Sequence, residues 1–404
     1  TLGDLVVDRS VSAPSASYVD SGVAGDHITN LGTITVTLSS DAASWQYTTD
    51  GGTIVSHTGS VELSPGTYTN VEVRQTDVAG NVSAAQSLGP ITVDSQGPSI
   101  VGVGLSGSAG GLNGLLNAGD VVYATVSYGE TVVVTGTPQL TLQIGSSTVL
   151  ANYSASLSTG TSLVFSYTIV SGNTDINGIS IPSTSLILNS GTIKDVVGNN
   201  AVLTHAAVSD NVNYVVDTSV GAPAASYVDT GISVSDGITN NGFVTVSLAS
   251  DESSWQYSVD SGSSWLNGSG SGFVLSEGSY ASGQVLVRQT DLAGNVSGNS
   301  ATLGDLVVDR SVSAPSASYF DSGVAGDHIT NAGTITVTLS DDAASWQYTT
   351  DGGTTWTDGG SIVSHTGSVE LSSGTYTNVE VRQTDVAGNV SVAQNLGPIT
   401  VDNQ

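Results

Sequence analysis

The chain contains no cysteine, which excludes disulfide staples and thiol chemistry. Small β-domains without disulfides can use a bound metal instead, and an acidic chain free of cysteine fits export into a calcium-rich exterior. Basic residues are scarce. Six Lys and Arg stand against 35 Asp and Glu, a formal charge of −29, so the surface repels nucleic acid and anionic lipid and recruits cations. No stretch approaches a transmembrane span, and the first residues do not read as a signal peptide, so an export address is expected outside this sequence. Helical periodicity is missing throughout. Charged residues make up only 10%, and hydrophobic content of 38% with abundant Thr, Val and Ser argues for folded β structure over an acidic disordered tail. At 404 residues the chain is too long for one core.

What is present is repetition. Arg74-Gln75-Thr76-Asp77-Val78-Ala79-Gly80-Asn81 returns from Arg288 to Asn295 and from Arg382 to Asn389. Val71, Val73 and Gln75 alternate with Glu72, Arg74 and Thr76, which predicts a strand ending in an Asp-x-Ala-Gly-Asn turn. Ig-like repeats are expected at 9–94, 218–309 and 310–404, with a longer, divergent Ig-like domain at 95–217. In the first repeat Ile34, Val36 and Leu38 are expected to point inward, and Trp45, like Trp255 and Trp346, to lie in the core. In the divergent domain the expected strands are Val121–Tyr128, Gln139–Ile144, Val149–Tyr153 and Ser162–Ile169. The first repeat lacks seven residues found in the fourth, and the gap falls in a hairpin after Asp50-Gly51-Gly52. Residues 1–8 reappear as 302–309, where they close a repeat. They are expected to be the last strand of a preceding truncated repeat, with insertion into a neighbour as the alternative. The fold class is therefore all-β, tandem Ig-like β-sandwich domains in a head-to-tail elongated rod, each domain about 40 Å long.

Three acidic sets recur. The first is the Asp and Asn of each Gly-Asn turn: Asp77 and Asn81, Asp195 and Asn199, Asp291 and Asn295, Asp385 and Asn389. The second lies early in the repeats: Asp20 and Asp26, Asp229 and Asp236, Asp321 and Asp327. The third is the Asp that ends each last strand: Asp8, Asp94, Asp217, Asp309 and Asp402. Head-to-tail stacking of sandwiches predicts that the early loop, the linker Asp and the next domain's Gly-Asn turn converge. This gives Asp20, Asp26, Asp94, Asp195 and Asn199 at one junction and Asp229, Asp236, Asp309, Asp385 and Asn389 at another. Asp217, Asp291 and Asn295 make a less regular set with Asn117 and Asp120, and Asp8, Asp77 and Asn81 an incomplete one. Crowded carboxylates without a counter-charge resist joint ionisation, and a cation resolves this. Hard oxygen donors suit Ca²⁺, with weak extracellular-type affinities on the order of 10⁻⁴–10⁻³ M, and about a dozen ions would offset most of the charge. The competing reading makes these residues turn formers only.

The Ser-Ala-Pro entry, Asp-x5-Asp-x-Ile-Thr-Asn from Asp20 to Asn30, Ser-Trp-Gln-Tyr, and Arg-Gln-Thr-Asp-x-Ala-Gly-Asn resemble bacterial Ig-like repeats of giant type I-secreted adhesins, the biofilm and ice-binding RTX adhesins among them. The divergent domain is similar to another module of such proteins through Gly136 to Leu142 and Gly191 to Asp195. The resemblance implies a calcium-rigidified stalk on the outside of the bacterial cell, with calcium and neighbouring repeats as partners, surface glycans as a further candidate partner, no membrane insertion and no catalysis. A surface-layer or fibre subunit and a carbohydrate-binding module remain alternatives. The second rests on Trp265 and Trp356, which follow Asp-x-Gly turns and are expected to pack over their hairpins. His27, His57, His328 and His365 neighbour no evident nucleophile. Arg74, Arg288 and Arg382 are expected to make cross-strand ion pairs.

Overall fold

The computed structural model describes residues 3–404, all in β-structure, turns and two short 3₁₀ segments. No helix among these residues is long and apolar enough to cross a membrane. The chain divides into two compact units, residues 1–218 and 219–404. Each unit carries two hydrophobic cores, one per sandwich.

In the first unit, one sandwich pairs a sheet of Ser15–Tyr18, Thr33–Thr37 and Val61–Glu62 with a five-stranded sheet. The latter runs in the order Ile28–Thr29, Gln86–Val93, Gly66–Asp77, Ala42–Thr48, Val55–His57. Alternation along Gly66–Asp77 puts Val71, Val73, Gln75 and Asp77 inside, with Trp45 against them. The second sandwich is built on a six-stranded sheet containing Ile100–Ala109, Val121–Tyr128, Gln139–Ile144, Ser147–Tyr153 and Ser162–Thr168. Phe165, Leu140, Leu142 and Ile144 fill its core.

In the second unit, residues 316–401 form a sandwich with the sheets of the first, and in residues 224–308 the larger sheet is divided into two three-stranded ones; Trp255 and Trp346 lie in the cores. The buried Gln of Arg-Gln-Thr-Asp has a structural task in each. Gln383 accepts from the Ser340 N–H at 2.9 Å and donates to the Ser313 carbonyl at 2.7 Å, and Gln75 and Gln289 hold their opening segments likewise. Burying this amide is tolerated because its hydrogen-bonding groups are satisfied.

Two expectations need correction. Thr1 and Leu2 lie outside the described residues, and Gly3 to Asp8 form no strand. Leu5, Val6 and Val7 are exposed, whereas the identical Leu306–Val308 pairs in parallel with Ile238–Thr239 and antiparallel with Gly278–Tyr280. A strand is a property of the strands beside it, and Gly3 to Asp8 pair with none among the described residues.

The second correction is Leu38, which is 36% exposed, whereas its counterpart Leu339 is 5% exposed. The seven-residue gap explains it. In the fourth repeat the hairpin strand Thr357–Asp358 lies beside Ala343–Thr349, and Thr366–Glu370 then pairs along the whole of Thr334–Thr338. The first repeat has no such hairpin residues. Its Val55–His57 is drawn across to pair with Ala42–Thr48, leaving Val61–Glu62 to cover Thr33 and Ile34 alone. Identical sequence, Ile-Val-Ser-His, thus takes two places because the hairpin length differs.

Inserting Thr-Trp-Thr-Asp-Gly-Gly-Ser between Thr53 and Ile54 is expected to restore the longer pairing. Reburial of Val36 and Leu38 would stabilise the repeat by about 1–2 kcal/mol. Hydrogen exchange checks it: the Leu38 amide should slow toward that of Leu339, which donates to the His365 carbonyl at 2.8 Å. An unchanged Leu38 rate would show that hairpin length does not govern the pairing.

Candidate metal centre

Each Gly-Asn turn is a compact hydrogen-bonded unit. The Asp385 carboxylate, fully buried, accepts from the Asn389 backbone N–H and the Asn389 side-chain amide, both at 2.8 Å. Gly388 adopts φ 90°, a conformation costly for a side chain with Cβ, which accounts for glycine there. Asp77 with Asn81 and Asp291 with Asn295 repeat this geometry, and Asp195 accepts from Val197, Gly198 and Asn199 N–H groups. The Asn81 amide lies beside Asp77 as the first cause that lowers the Asp77 pKa.

The Asn side chains face inward as donors. Asn199 Nδ2 donates to the Asp94 carbonyl at 2.8 Å, Asn389 to the Asp309 carbonyl at 2.9 Å, and Asn81 to the Asp8 carbonyl at 3.2 Å. The expected oxygen ligand is thus a staple that presents its nitrogen to both the turn carboxylate and the linker.

The staples bring linker and turn carboxylates together, each with a third acid. The sets are Asp8, Asp41 and Asp77, then Asp94, Glu130 and Asp195, then Asp309, Asp342 and Asp385. Within each, one oxygen per residue lies within 4.8 Å of the others. Asp41, Glu130 and Asp342 were not among the residues expected from sequence. A signal existed for two of them, since an Asp stands four residues before each core Trp, at 41, 251 and 342. Their loops are tied to the turns: the Val78 and Val386 N–H groups donate to the Asp41 and Asp342 carbonyls at 3.0 Å.

The early-loop acids lie outside these sets. Asp20, Asp229 and Asp321 each accept from the N–H of a loop glycine, Gly25, Gly237 and Gly326. Asp26, Asp236 and Asp327 each accept from the N–H two residues on. One oxygen of Asp20, of Asp229 and of Asp321 is buried without a hydrogen-bond partner, at the same place in three repeats. Burial, then the paired Asp residues, raises the pKa of Tyr18, Tyr227 and Tyr319 beside them. His27 and His328 accept or donate at Nδ1 with the Tyr18 and Tyr319 hydroxyls, at 2.7 and 2.6 Å.

Early loop and turn do meet within each unit. A side chain at Gly22 would strike the Val196 carbonyl, and one at Gly231 the Val386 carbonyl, so these loops approach backbone to backbone. Ile232 N–H donates to the Val386 carbonyl at 3.2 Å.

Asp120 belongs to a turn, accepting from the Asn117 N–H at 2.7 Å. Asp217 ends the strand Val215–Asp217, and Asp402 follows Gln394–Val401, its N–H donating to the Thr330 carbonyl.

The donor set fits a hard cation. Ligand oxygens around Ca²⁺ at about 2.3–2.6 Å are separated by no more than about 5 Å, which these triplets satisfy. Among the described residues no Lys or Arg makes a salt bridge to them. Burial, then Asp94 and Asp195, raises the Glu130 pKa, and burial with Asp385, Asp342 and Glu277 raises that of Asp309.

The hairpin tryptophans pack as expected. The guanidinium carbon of Arg288 lies 4.0 Å from the Trp265 ring centroid, and that of Arg382 the same distance from Trp356. Both arginines donate through Nε and Nη2 to Gln256 and Gln347, so neither makes the expected ion pair, because the indole fixes the guanidinium over the amide oxygen. Arg74, with no such indole, lies 3.7 Å from Glu72 on its own strand, not across strands.

No protein-family model matches the sequence, and no curated protein matches it. Among solved structures, the Bacteroides ovatus mixed-linkage glucan utilization locus protein SGBP-B, in complex with a mixed-linkage heptasaccharide, is similar at 12% identity. That match covers 99% of this chain and 69% of the other, with a TM-score of 0.15. A putative membrane anchored protein from Corynebacterium diphtheriae is similar at 10% identity over 89% of this chain and 97% of its own, with a TM-score of 0.18. Neither likeness bears on function at these TM-scores.

Proposed function

We infer that this chain is a calcium-stiffened extender region of a large secreted bacterial adhesin, a stalk on the cell surface that holds ligand-binding domains away from it. The observation that carries the reading is the recurring triplet of linker, turn and third acid, which brings like charges together with no Lys or Arg salt-bridged to them among the described residues. Such an arrangement is unfavourable alone and favourable around Ca²⁺. The buried, unpartnered oxygens of Asp20, Asp229 and Asp321 add a second demand for a cation in the early loops. Asp20 and Asp26, and likewise Asp229 and Asp236, would supply carboxylates there. The ion is structural in this reading: it neutralises the linkers and limits their bending.

Small-angle X-ray scattering of the chain in millimolar Ca²⁺ and in excess EGTA tests it. A larger, well-defined maximum dimension in calcium that falls or becomes heterogeneous in EGTA is expected. Identical profiles would leave the acidic residues as turn formers and remove the stiffening role.

A further inference from the structure

The gap that shortens the first hairpin also removes a tryptophan and leaves its seat in place. In the fourth repeat Trp356 lies on Arg382, with Gly353 beside the ring edge: a Cβ there would stand 3.7 Å from Trp356 Cζ2. The counterparts of the seat are Gln46, Gly52, Glu72 and Arg74, matching Gln347, Gly353, Glu380 and Arg382. In the first repeat all four line a cavity of about 130 Å³, completed by Tyr47, Thr48, Gly51 and Ile54. The frame around it is kept. Asn70 donates to Glu72 at 2.8 Å as Asn378 does to Glu380 at 2.6 Å. Ile54 takes the register of the ring, one residue before Val55 opposite Tyr47 as Trp356 is one residue before Thr357 opposite Tyr348, and two side chains of the seat differ. Arg382 is held by Gln347, whereas Arg74 has turned to Glu72, 41% exposed, and Gln46 donates to Ser56 instead.

We propose that this cavity is a binding site for a neutral planar aromatic ring of indole size, stacked on the Arg74 guanidinium as Trp356 is on Arg382. The guanidinium favours the electron-rich face of a ring. Glu72 disfavours an anionic ligand in the same space. On binding, Arg74 would leave Glu72 and donate to Gln46, completing the arrangement of the other repeats. The ring can come from a free small molecule or from a tryptophan side chain of another polypeptide, since both offer the same face.

Saturation-transfer NMR on the full chain with indole, and separately with N-acetyl-tryptophanamide, tests the site. Saturable transfer from indole is expected, weakened at least tenfold in affinity by Arg74→Ala. It should be abolished by the seven-residue insertion after Thr53, which supplies the chain's own ring. Trp356→Ala should add a second site of the same kind. Transfer from the blocked tryptophan as well would assign the site to a polypeptide side chain, and transfer from indole alone to a small molecule. Absence of saturable transfer from both probes at 10 mM, or transfer that survives the insertion, would overturn the proposal. Far-ultraviolet circular dichroism of each variant establishes that a lost signal is not lost folding.

Discussion

Asp385→Ala is expected to destabilise the fourth repeat by about 2–4 kcal/mol, lowering its melting temperature by roughly 10–20 °C. The carboxylate is fully buried and accepts both the backbone and side-chain donors of Asn389. Removing it leaves those donors without their acceptor where water cannot readily replace it, and frees Asn389, whose amide also holds the Asp309 carbonyl. This loss belongs to the turn. The turn's share should therefore persist in EGTA, and the loss should be larger in calcium, where a carboxylate of the triplet with Asp309 and Asp342 goes as well, as measured by calorimetry of the full chain. A loss seen only in calcium would mean that the carboxylate serves the ion and not the turn.

Asp342→Asn should behave in the opposite way, with an effect whose sign depends on the ion. In EGTA the substitution removes one of three crowded charges beside Asp309 and Asp385, and the repeat should become more stable. With calcium at about a hundred times the dissociation constant, an occupied site adds about 2.7 kcal/mol, much of which the variant would forfeit. Chemical denaturation in the two buffers reads both signs. A variant that shifts the same way in each would leave the acids without a metal role. The pH dependence follows from the same crowding. Burial, with Asp385, Asp342 and Glu277 behind it, raises the pKa of Asp309, so the folded state holds this proton more tightly than the unfolded chain. Its contribution is fully present below the ordinary carboxylate pKa and is lost as pH rises through the raised folded-state value. Calcium should flatten that decline by favouring the ionised form.

The two substitutions separate roles that look alike in sequence. Asp385 and Asp342 are both acidic turn residues, and the competing readings of turn former and metal ligand apply to each. Asp385 satisfies donors of its own turn, whereas Asp342 contributes its backbone carbonyl to the turn and its charge to the cluster. Local hydrogen bonding therefore accounts for the first without an ion, and does not account for the second.

Much of the fold was legible because alternation and repetition are local. Val71, Val73 and Gln75 announce one buried face, and the strands Val121–Tyr128 and Gln139–Ile144 follow from their own alternation. The turn is legible for the same reason, since Asp, Gly and Asn at fixed spacing close it through bonds within five residues. Sequence also brought linker and turn acids together correctly as pairs, Asp94 with Asp195 and Asp309 with Asp385. Three things were decided only in the tertiary structure. The third acid of each set comes from a loop distant in sequence from the linker and the turn, so the recurring Asp before the core Trp does not by itself show which acids it joins. The Asn amide turns its nitrogen inward because the carbonyl of a separate linker accepts from it. Ile-Val-Ser-His joins one sheet in the first repeat and not in the fourth because a hairpin seven residues shorter cannot reach the same edge. Side-chain alternation tells which face of a strand is buried, and the neighbours that compete for its edge decide where that strand lies.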